Sequence, residues 1–316
     1  MRETLFTVLG LPVTGFALGM AGTMLLVLGV MYLWCRAQKL GYGVFIRFAA
    51  LALPLTLLSS RLLFVLAEST YYLTTLSNPA LALRFWDGGY SLVGALLGLM
   101  LAAGLAQRLW KLQRHVLLDG LALAAPLGIL AERLCEHGTY LGLGRPIATP
   151  WLMFLGMEDP LTGSWVHPVY LYEAAAAAIL FMVMLLRARG VLGRKGAPGD
   201  ELGVFTVLFA ASQVVLECMR NDGHMVVHFV PIQQVTELVM LLTVLGLWTA
   251  RLARSGRMKK SRIAWIWLGT AVCVGTVVAM EFLVDRGALK LLYYSVMTLC
   301  MAAVAAAALW VRRRAA

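Results

Sequence analysis

Residues 116–136 read VLLDGLALAAPLGILAERLCE, an apolar run long enough to cross a membrane that carries ionisable side chains at both ends. Asp119 lies one turn from its start, and Arg133 and Glu136 lie near its end. A second apolar run begins in HPVYLYE, residues 167–173, so both runs turn charged ends toward one connecting loop. An ionisable residue at bilayer depth is costly and faces the bundle interior or a water-filled cavity. The stretch therefore predicts a polar site inside a bundle of membrane helices.

The composition of the whole chain is that of a membrane protein. Its 316 residues are 61% hydrophobic and 14% charged, with a mean hydropathy of +0.81, whereas soluble domains are close to half apolar and a quarter charged. A transmembrane helix needs roughly 20 apolar residues, and the runs here far exceed the roughly 10-residue strands of a membrane barrel. We predict an all-α, polytopic helical membrane protein with candidate spans at 11–34, 44–67, 89–106, 115–132, 168–186, 203–219, 229–250, 263–282 and 290–311.

The basic residues predict the orientation of the chain. The formal net charge is +11, and if alternate loops are cytoplasmic, 18 Lys and Arg lie on that side and 7 on the other. Cytoplasmic loops carry an excess of Lys and Arg, so we expect the N-terminus outside and the C-terminus in the cytoplasm. The surplus favours anionic lipid headgroups, and its distribution along the loops argues against nucleic-acid binding.

Charged and polar residues recur where other spans reach the same outer level. Arg61 lies within the second span, Tyr172 and Glu173 open the fifth, and Glu217 and Arg220 close the sixth at i,i+3 spacing. A guanidinium at that depth needs an acid or a phosphate as its partner. These residues predict either salt-bridged helix ends or an anion site whose protonation is set by mutual charge and burial.

Neither a metal site nor a cofactor is expected. The five cysteines are scattered in or beside the spans without CxxC spacing, so neither a disulfide framework nor a zinc site is indicated. His224 and His228 have i,i+4 spacing, but a third ligand is not identifiable beside them. The two spans after residue 250 contain little polar content beyond Glu281, which indicates packing or a partner contact rather than chemistry.

Taken together, these residues resemble the bacterial prolipoprotein diacylglyceryl transferases over about residues 10–250, a family with seven spans and the N-terminus outside. The order and spacing of the matching features agree throughout. The matching features are Arg61; the turn WDGGYS at 86–91, with Gly88 and Gly89, followed by Gly94; Asp119; Arg133; Gly144 and Arg145; His167, Tyr172 and Glu173; Glu217 and Arg220; and Gln234. We expect a transferase-like seven-helix core at 1–250, an outer cap loop at 137–167, and a basic linker with two additional transmembrane helices at 251–316.

The resemblance implies transfer of the diacylglyceryl group of phosphatidylglycerol to the lipobox cysteine thiol of a prolipoprotein, with release of glycerol phosphate outside the bacterial inner membrane. The implied partners are phosphatidylglycerol or another anionic phospholipid and the signal-peptide segment of the prolipoprotein. Arginine forks suit phosphate, and a base is needed to form the thiolate. Expected headgroup contacts are Arg61, Arg133, Arg145, Arg220, Tyr172 and Glu173, and the catalytic candidates are Glu136, His137, His167 and Glu217.

The sequence departs from the family pattern at the site itself. Val93 stands where the family has a histidine, Glu136 where it has an asparagine, and Leu141 where it has an acid. Phe209 and Gln213 replace a tyrosine and an arginine. Three functions therefore remain open: a divergent diacylglyceryl transferase, a phospholipid-dependent transferase with another acceptor, and a non-catalytic lipid-binding or assembly protein. A transporter is the least favoured, because no inverted repeat is evident.

Overall fold

Long helices make up most of the computed structural model, which describes residues 4–8, 11–69, 71–72, 79–85, 88–112, 115–137, 139, 141–147, 149–192, 196–221, 226–227 and 230–315. Apolar runs become helices because the bilayer interior offers no water to their backbone groups. The helices are α1 (Gly15–Ala37), α2 (Tyr42–Ala67), α3 (Leu92–Leu109), α4 (Val116–Cys135), α5 (Val169–Ala188), α6 (Asp200–Met219), α7 (Ile232–Arg254), α8 (Lys260–Arg286) and α9 (Lys290–Ala315).

The helices confirm the prediction of a polytopic all-α membrane protein. In the described part of the chain, eight helices are long and apolar enough to cross a membrane. The ninth, α4, is as long as α5 and α6 but carries three charged side chains, Asp119, Glu132 and Arg133. Each predicted span coincides with one helix.

The prediction that the first span begins at residue 11 is wrong. Residues Leu11–Thr14 form strand β2, which pairs antiparallel with β1 (Thr4–Val8). The helix begins at Gly15 because the hydroxyl of Thr14 accepts a hydrogen bond from the amide of Ala17 at 3.2 Å, which satisfies one of the unpaired donors at a helix start. A short apolar strand has the same composition as one turn of an apolar helix, so hydropathy cannot separate them.

A small sheet covers one end of the bundle, where α4 ends and α5 begins. Strands β3 (Leu143–Pro146), β4 (Met157–Glu158) and β5 (Trp165–Pro168) pair in the order β3-β5-β4, with a 3-10 helix at Pro150–Leu155 between them. A short hairpin of β6 (Val226–Val227) and β7 (Val230–Pro231) precedes α7. Trp151 and Phe154 are 64% and 77% exposed. Exposed aromatic side chains at this level fit a cap lying at the membrane interface.

Ion pairs at the opposite end fix the helices against one another. The Asp119 carboxylate accepts hydrogen bonds from the amides of Gly199 and Glu201 at 3.0 and 3.2 Å, at the start of α6. Arg251 of α7 contacts Asp200 at 2.6 Å, and Arg312 of α9 contacts Glu201 at 3.0 Å. Helices α6, α7 and α9 therefore meet in one polar layer at this end, and α9 packs along both α6 and α7.

Candidate functional site

The ends of α4 and α6 and the start of α5, at the cap, bring two arginines together. Arg133 of α4 places Nη1 2.6 Å from Glu136 Oε1 and Nε 3.0 Å from Glu173 Oε2. Its Nε also lies 3.4 Å from Glu132 Oε2. Arg220, which ends α6, places Nη1 2.8 Å from Glu173 Oε2 and Nη2 3.6 Å from Glu136 Oε1. Glu136 and Glu173 thus each contact both guanidinium groups, one from each side.

We call this group the paired-arginine cluster: Arg133, Arg220, Glu132, Glu136, Glu173 and Glu217. Glu217 belongs to it through an Oε2 atom 4.0 Å from Arg220 Nε, which is the i,i+3 pair expected from the sequence. Both arginine side chains are only 4% exposed. Charges taken out of water require close partners, and here each arginine reaches carboxylates from at least two helices or helix ends.

Carboxyl groups outnumber guanidinium groups in this region. Glu237 of α7 is fully buried within electrostatic range of Glu173, Glu217 and both arginines. Both Glu237 carboxyl oxygens and Glu173 Oε1 are buried without a hydrogen-bond partner among the described residues. A buried excess of acid must be balanced by protons or by a ligand. The cluster can therefore hold or move protons and can stabilise charge that develops on a bound group.

His167 lies near the end of β5 and has a hydrogen-bond pattern that fixes its tautomer. The Tyr172 hydroxyl donates to the carbonyl oxygen of Leu155 at 2.7 Å, so its oxygen accepts from His167 Nδ1 at 3.1 Å. This assignment leaves Nε2 with a lone pair. Burial, with a smaller effect from Lys290, lowers the pKa of His167 below its usual value. His167 is therefore neutral near pH 7 and suited to accept a proton at Nε2.

His137 makes a similar pair with Tyr170. The two groups are 2.8 Å apart, and the Tyr170 hydroxyl also lies 3.8 Å from the sulfur of Met157. The carbonyl of Gly142 accepts from the Tyr170 amide at 3.1 Å. Gly142 has a φ of 69°, and a β-carbon there would lie 2.6 Å from Glu136 Oε2. A glycine at 142 therefore lets the cap approach the paired-arginine cluster closely.

Arg61 lies apart from the cluster and fastens a loop. Its Nε donates to the carbonyl of Ala82 at 3.0 Å, and its Nη1 donates to the carbonyls of Gly88 and Gly89. Both glycines have positive φ, 81° and 75°. The carbonyls of the glycine turn thus take contacts that the sequence assigned to an acid or a phosphate. Trp86 and Asp87 of the expected turn lie outside the described residues.

The glycine turn also leads into a close contact between two helices. Gly94 of α3 lies against α2, and a β-carbon there would sit 2.6 Å from both the Ser59 carbonyl oxygen and the Ser60 α-carbon. The Ser59 hydroxyl donates to the Gly94 carbonyl at 2.7 Å. Gly144 plays a comparable part in the cap, where it forms a β-bridge with Arg220.

Arg145 lies on another side of the site and pairs with a residue that the sequence did not single out. Its Nε donates to the carbonyl of Cys218 at 3.1 Å, and its Nη1 forms an ion pair with Asp285 of α8. Asp285, Tyr170 and Glu132 were missed as site candidates, as was Glu237. The acid at the end of α4 and the buried acid of α7 were visible as charges within apolar runs, whereas Asp285 resembles an ordinary charged helix end.

No cluster of three His, Cys, Asp or Glu side chains suited to a metal ion occurs within the described residues. The spaced pair His224 and His228 lies outside them. The described acids at the cap end of the bundle are arranged around arginines instead.

A family model described as prolipoprotein diacylglyceryl transferase matches residues 3–250. The chain belongs to the prolipoprotein diacylglyceryl transferase family. The match includes α1 to α6 and most of α7, and therefore the whole paired-arginine cluster. Helices α8 and α9 lie beyond the matched region.

Three curated relatives of this family are each named phosphatidylglycerol–prolipoprotein diacylglyceryl transferase. The protein of Agrobacterium fabrum is 30% identical over 183 residues, which is 57% of this chain and 64% of the relative. That of Rhizobium meliloti is 31% identical over 186 residues, with the same two coverages. That of Brucella anthropi is 28% identical over 246 residues, 70% of this chain and 83% of the relative. The chain thus spans somewhat less than two thirds of the first two relatives.

Proposed function

We propose that this protein transfers the diacylglyceryl group of phosphatidylglycerol to the lipobox cysteine thiol of prolipoproteins. The observation that carries the proposal is the paired-arginine cluster, which lies at one end of the bundle inside the region matched by the family. The names of the relatives support the same two substrates. We place the cluster at the outer face of the bacterial inner membrane, with the N-terminus outside and the C-terminus in the cytoplasm.

The reaction forms a thioether and releases glycerol phosphate. The thiolate sulfur attacks the C3 carbon of the diacylglycerol moiety, a C–S bond forms, and the bond from C3 to the phosphate oxygen breaks. The electron pair of that bond leaves with glycerol 1-phosphate. The thiol proton goes first to the base and then to water. The protein therefore has to supply a base, hold the phosphate and exclude water from the thiolate.

We assign the base to His167 and the phosphate contacts to the arginines. His167 is neutral near pH 7 and keeps a lone pair on Nε2, whereas Glu136 already contacts two guanidinium groups. Glu217 lies beside Arg220 in the same way. Planar guanidinium groups bind phosphate through two parallel hydrogen bonds. Arg133 and Arg220 would exchange carboxylate partners for the leaving phosphate, whose charge they then stabilise.

The remaining residues act as supports in this proposal. Tyr172 and His137 orient side chains of the cap. Glu173 contacts both arginines and holds them in place, and Arg61 keeps the glycine turn against α2. Residues 1–250 form the transferase core, and 251–316 form a linker and a helical hairpin attached to it.

A second function is favoured by one observation: Gln213, at a position where the family has an arginine, is buried with Oε1 lacking a partner among the described residues. Loss of a positive group there fits a lipid-binding protein without turnover, or a different acceptor.

The test is transfer from labelled phosphatidylglycerol to a lipobox peptide by the purified full chain, beside an active family member. We expect turnover that falls at least about 100-fold in Arg133→Ala, because removing an electrostatic donor costs roughly that much. Arg133→Lys keeps the charge and serves as the folding control, yet we expect little rescue because lysine lacks the fork. Absence of turnover while the control enzyme works would reject the proposal in favour of binding or another acceptor.

A further inference from the structure

The hairpin of α8 and α9 lies outside the region matched by the family, yet it reaches the outer end of the core. Gln234 of α7 donates from Nε2 to Glu281 Oε2 at 3.1 Å, and Glu281 is 1% exposed. One turn further along α8, Asp285 forms the ion pair with Arg145. The hairpin is therefore joined to the core by buried and half-buried polar contacts on the side of the cap.

Arg145 differs from the other two arginines of the site in what surrounds it. Its side chain is 23% exposed, against 4% for Arg133 and Arg220. Two contacts orient its guanidinium, one from Nε to Cys218 and one from Nη1 to Asp285. Among the residues that the structure describes, no acceptor is recorded for Nη2. Arg145 thus combines a fixed orientation with donors that remain for an incoming group.

Those properties suit a first contact with phosphate. Arg133 and Arg220 are enclosed by carboxylates and must break buried ion pairs before they bind an anion, which is costly. Arg145 needs no such exchange, because no described acceptor is recorded for its Nη2 and the side chain is 23% exposed. A guanidinium already held by a second anion loses little conformational freedom on binding.

We infer that Arg145 makes the first contact with the phosphate of the donor lipid and that Asp285, from the hairpin, is its positioning residue. The inference rests on the proposed function and deepens it by giving the two added helices a part in substrate capture. Asp285 itself does not touch the reacting atoms. It holds one edge of the guanidinium so that the other edge faces the lipid.

The experiment uses the full chain with phosphatidylglycerol in detergent micelles and compares Asp285→Asn with Asp285→Glu. The readouts are the KM for phosphatidylglycerol, kcat, the lipid Kd and the thermal unfolding midpoint. We expect Asp285→Asn to raise KM and Kd about tenfold with kcat nearly unchanged, since one charge-assisted hydrogen bond orients the arginine. Asp285→Glu should restore most of the affinity. The matched control is Glu158→Gln, which removes an exposed carboxylate from the cap and should leave KM and Kd unchanged.

A charge exchange, Arg145→Asp with Asp285→Arg, distinguishes phosphate binding by Arg145 from attachment of the hairpin to the core. If the pair only attaches the hairpin, the exchange returns both the unfolding midpoint and the KM for phosphatidylglycerol to their wild-type values, and the inference is overturned. If Arg145 binds phosphate, the exchange restores the unfolding midpoint but not KM. Should the wild type show no turnover while the family control is active, the proposed reaction fails. The lipid Kd then decides this inference, which is overturned if Asp285→Asn and wild type bind equally well.

Discussion

At the scale of single residues, four arginines illustrate how surroundings set the role of one side-chain type. Arg61 donates to backbone carbonyls and holds a loop. Arg133 and Arg220 share carboxylates in a buried cluster. Arg145 is partly exposed and pairs with an acid of α8. We expect Glu136 to matter most here, because its carboxylate contacts both buried arginines and would compete with a phosphate for them.

His167 offers a test of catalysis at this scale. We expect His167→Gln to lower kcat by about 10²- to 10⁴-fold, the usual contribution of a general base. His137→Gln is the matched control, with a smaller effect, because the Tyr170 hydroxyl has only the weak sulfur acceptor of Met157 at 3.8 Å and therefore fixes the tautomer of His137 less firmly. Turnover is measured with the lipobox peptide. Equal losses in both variants would contradict the assignment of the base to His167.

The same residue predicts a pH dependence. Burial lowers the pKa of His167 below its usual value of about 6.5, so the folded state binds fewer protons than the unfolded state. Stability from this group is complete above about pH 6.5 and is lost as the pH falls toward the lowered pKa. We expect the unfolding midpoint to drop between pH 7.5 and 5.5, and to drop less in His167→Gln. An unchanged pH response in the variant would count against the buried neutral form.

At the scale of elements, close packing of α2 and α3 positions the glycine turn. A β-carbon at Gly98 would lie 2.5 Å from the Leu55 carbonyl oxygen and 2.6 Å from the Thr56 α-carbon. In membranes, small residues let helix backbones approach closely. The contact orients the start of α3, and with it the turn whose carbonyls Arg61 binds.

Alanine substitutions along α3 test this packing. Gly98→Ala should destabilise the protein by about 1–3 kcal/mol, because the added methyl overpacks against backbone. Gly104→Ala on the same helix is the control, since a β-carbon there meets nothing within 4 Å. It should be neutral or stabilising by up to about 1 kcal/mol. Both are measured by thermal unfolding in detergent. Similar midpoints for the two variants would show that α2 and α3 tolerate separation.

At the scale of the whole molecule, polar residues collect in two layers with apolar helix between them. One layer holds the paired-arginine cluster and the cap. The other layer holds Asp119, Asp200 and Glu201 with arginines from α5, α7 and α9. Successive helices run in opposite directions, so each helix has one end in each polar layer. This alternation accounts for both layers.

Reporter fusions test the orientation of these layers. A green fluorescent protein fused after residue 316 should fluoresce, whereas alkaline phosphatase at the same point should be inactive, since the basic loops lie on that side. Fusions after residue 158, in the cap, should give the reverse pattern. A phosphatase-active fusion at residue 316 would invert the topology and place the paired-arginine cluster on the cytoplasmic side.

The sequence was sufficient to predict the helices and the end of the bundle at which the charged groups lie. Hydropathy is a local property of about 20 residues, so it predicts every span, although it does not separate β2 from the start of α1. The i,i+3 pairing of Glu217 with Arg220 was likewise readable from spacing within one helix. The family resemblance rested on the same kind of information, namely motifs in fixed order along the chain.

The partners of those charged groups could be identified only from the folded chain. Arg145 and Asp285 are separated by 140 residues, and Glu173 meets Arg220 across 47. Such contacts depend on how α5, α6 and α8 pack, which hydropathy does not encode. The tautomer of His167 depends on where the Leu155 carbonyl lies in the cap. Spans follow from the cost of exposing polar backbone to lipid, whereas the site follows from distances of a few ångströms that only packing of distant segments can set.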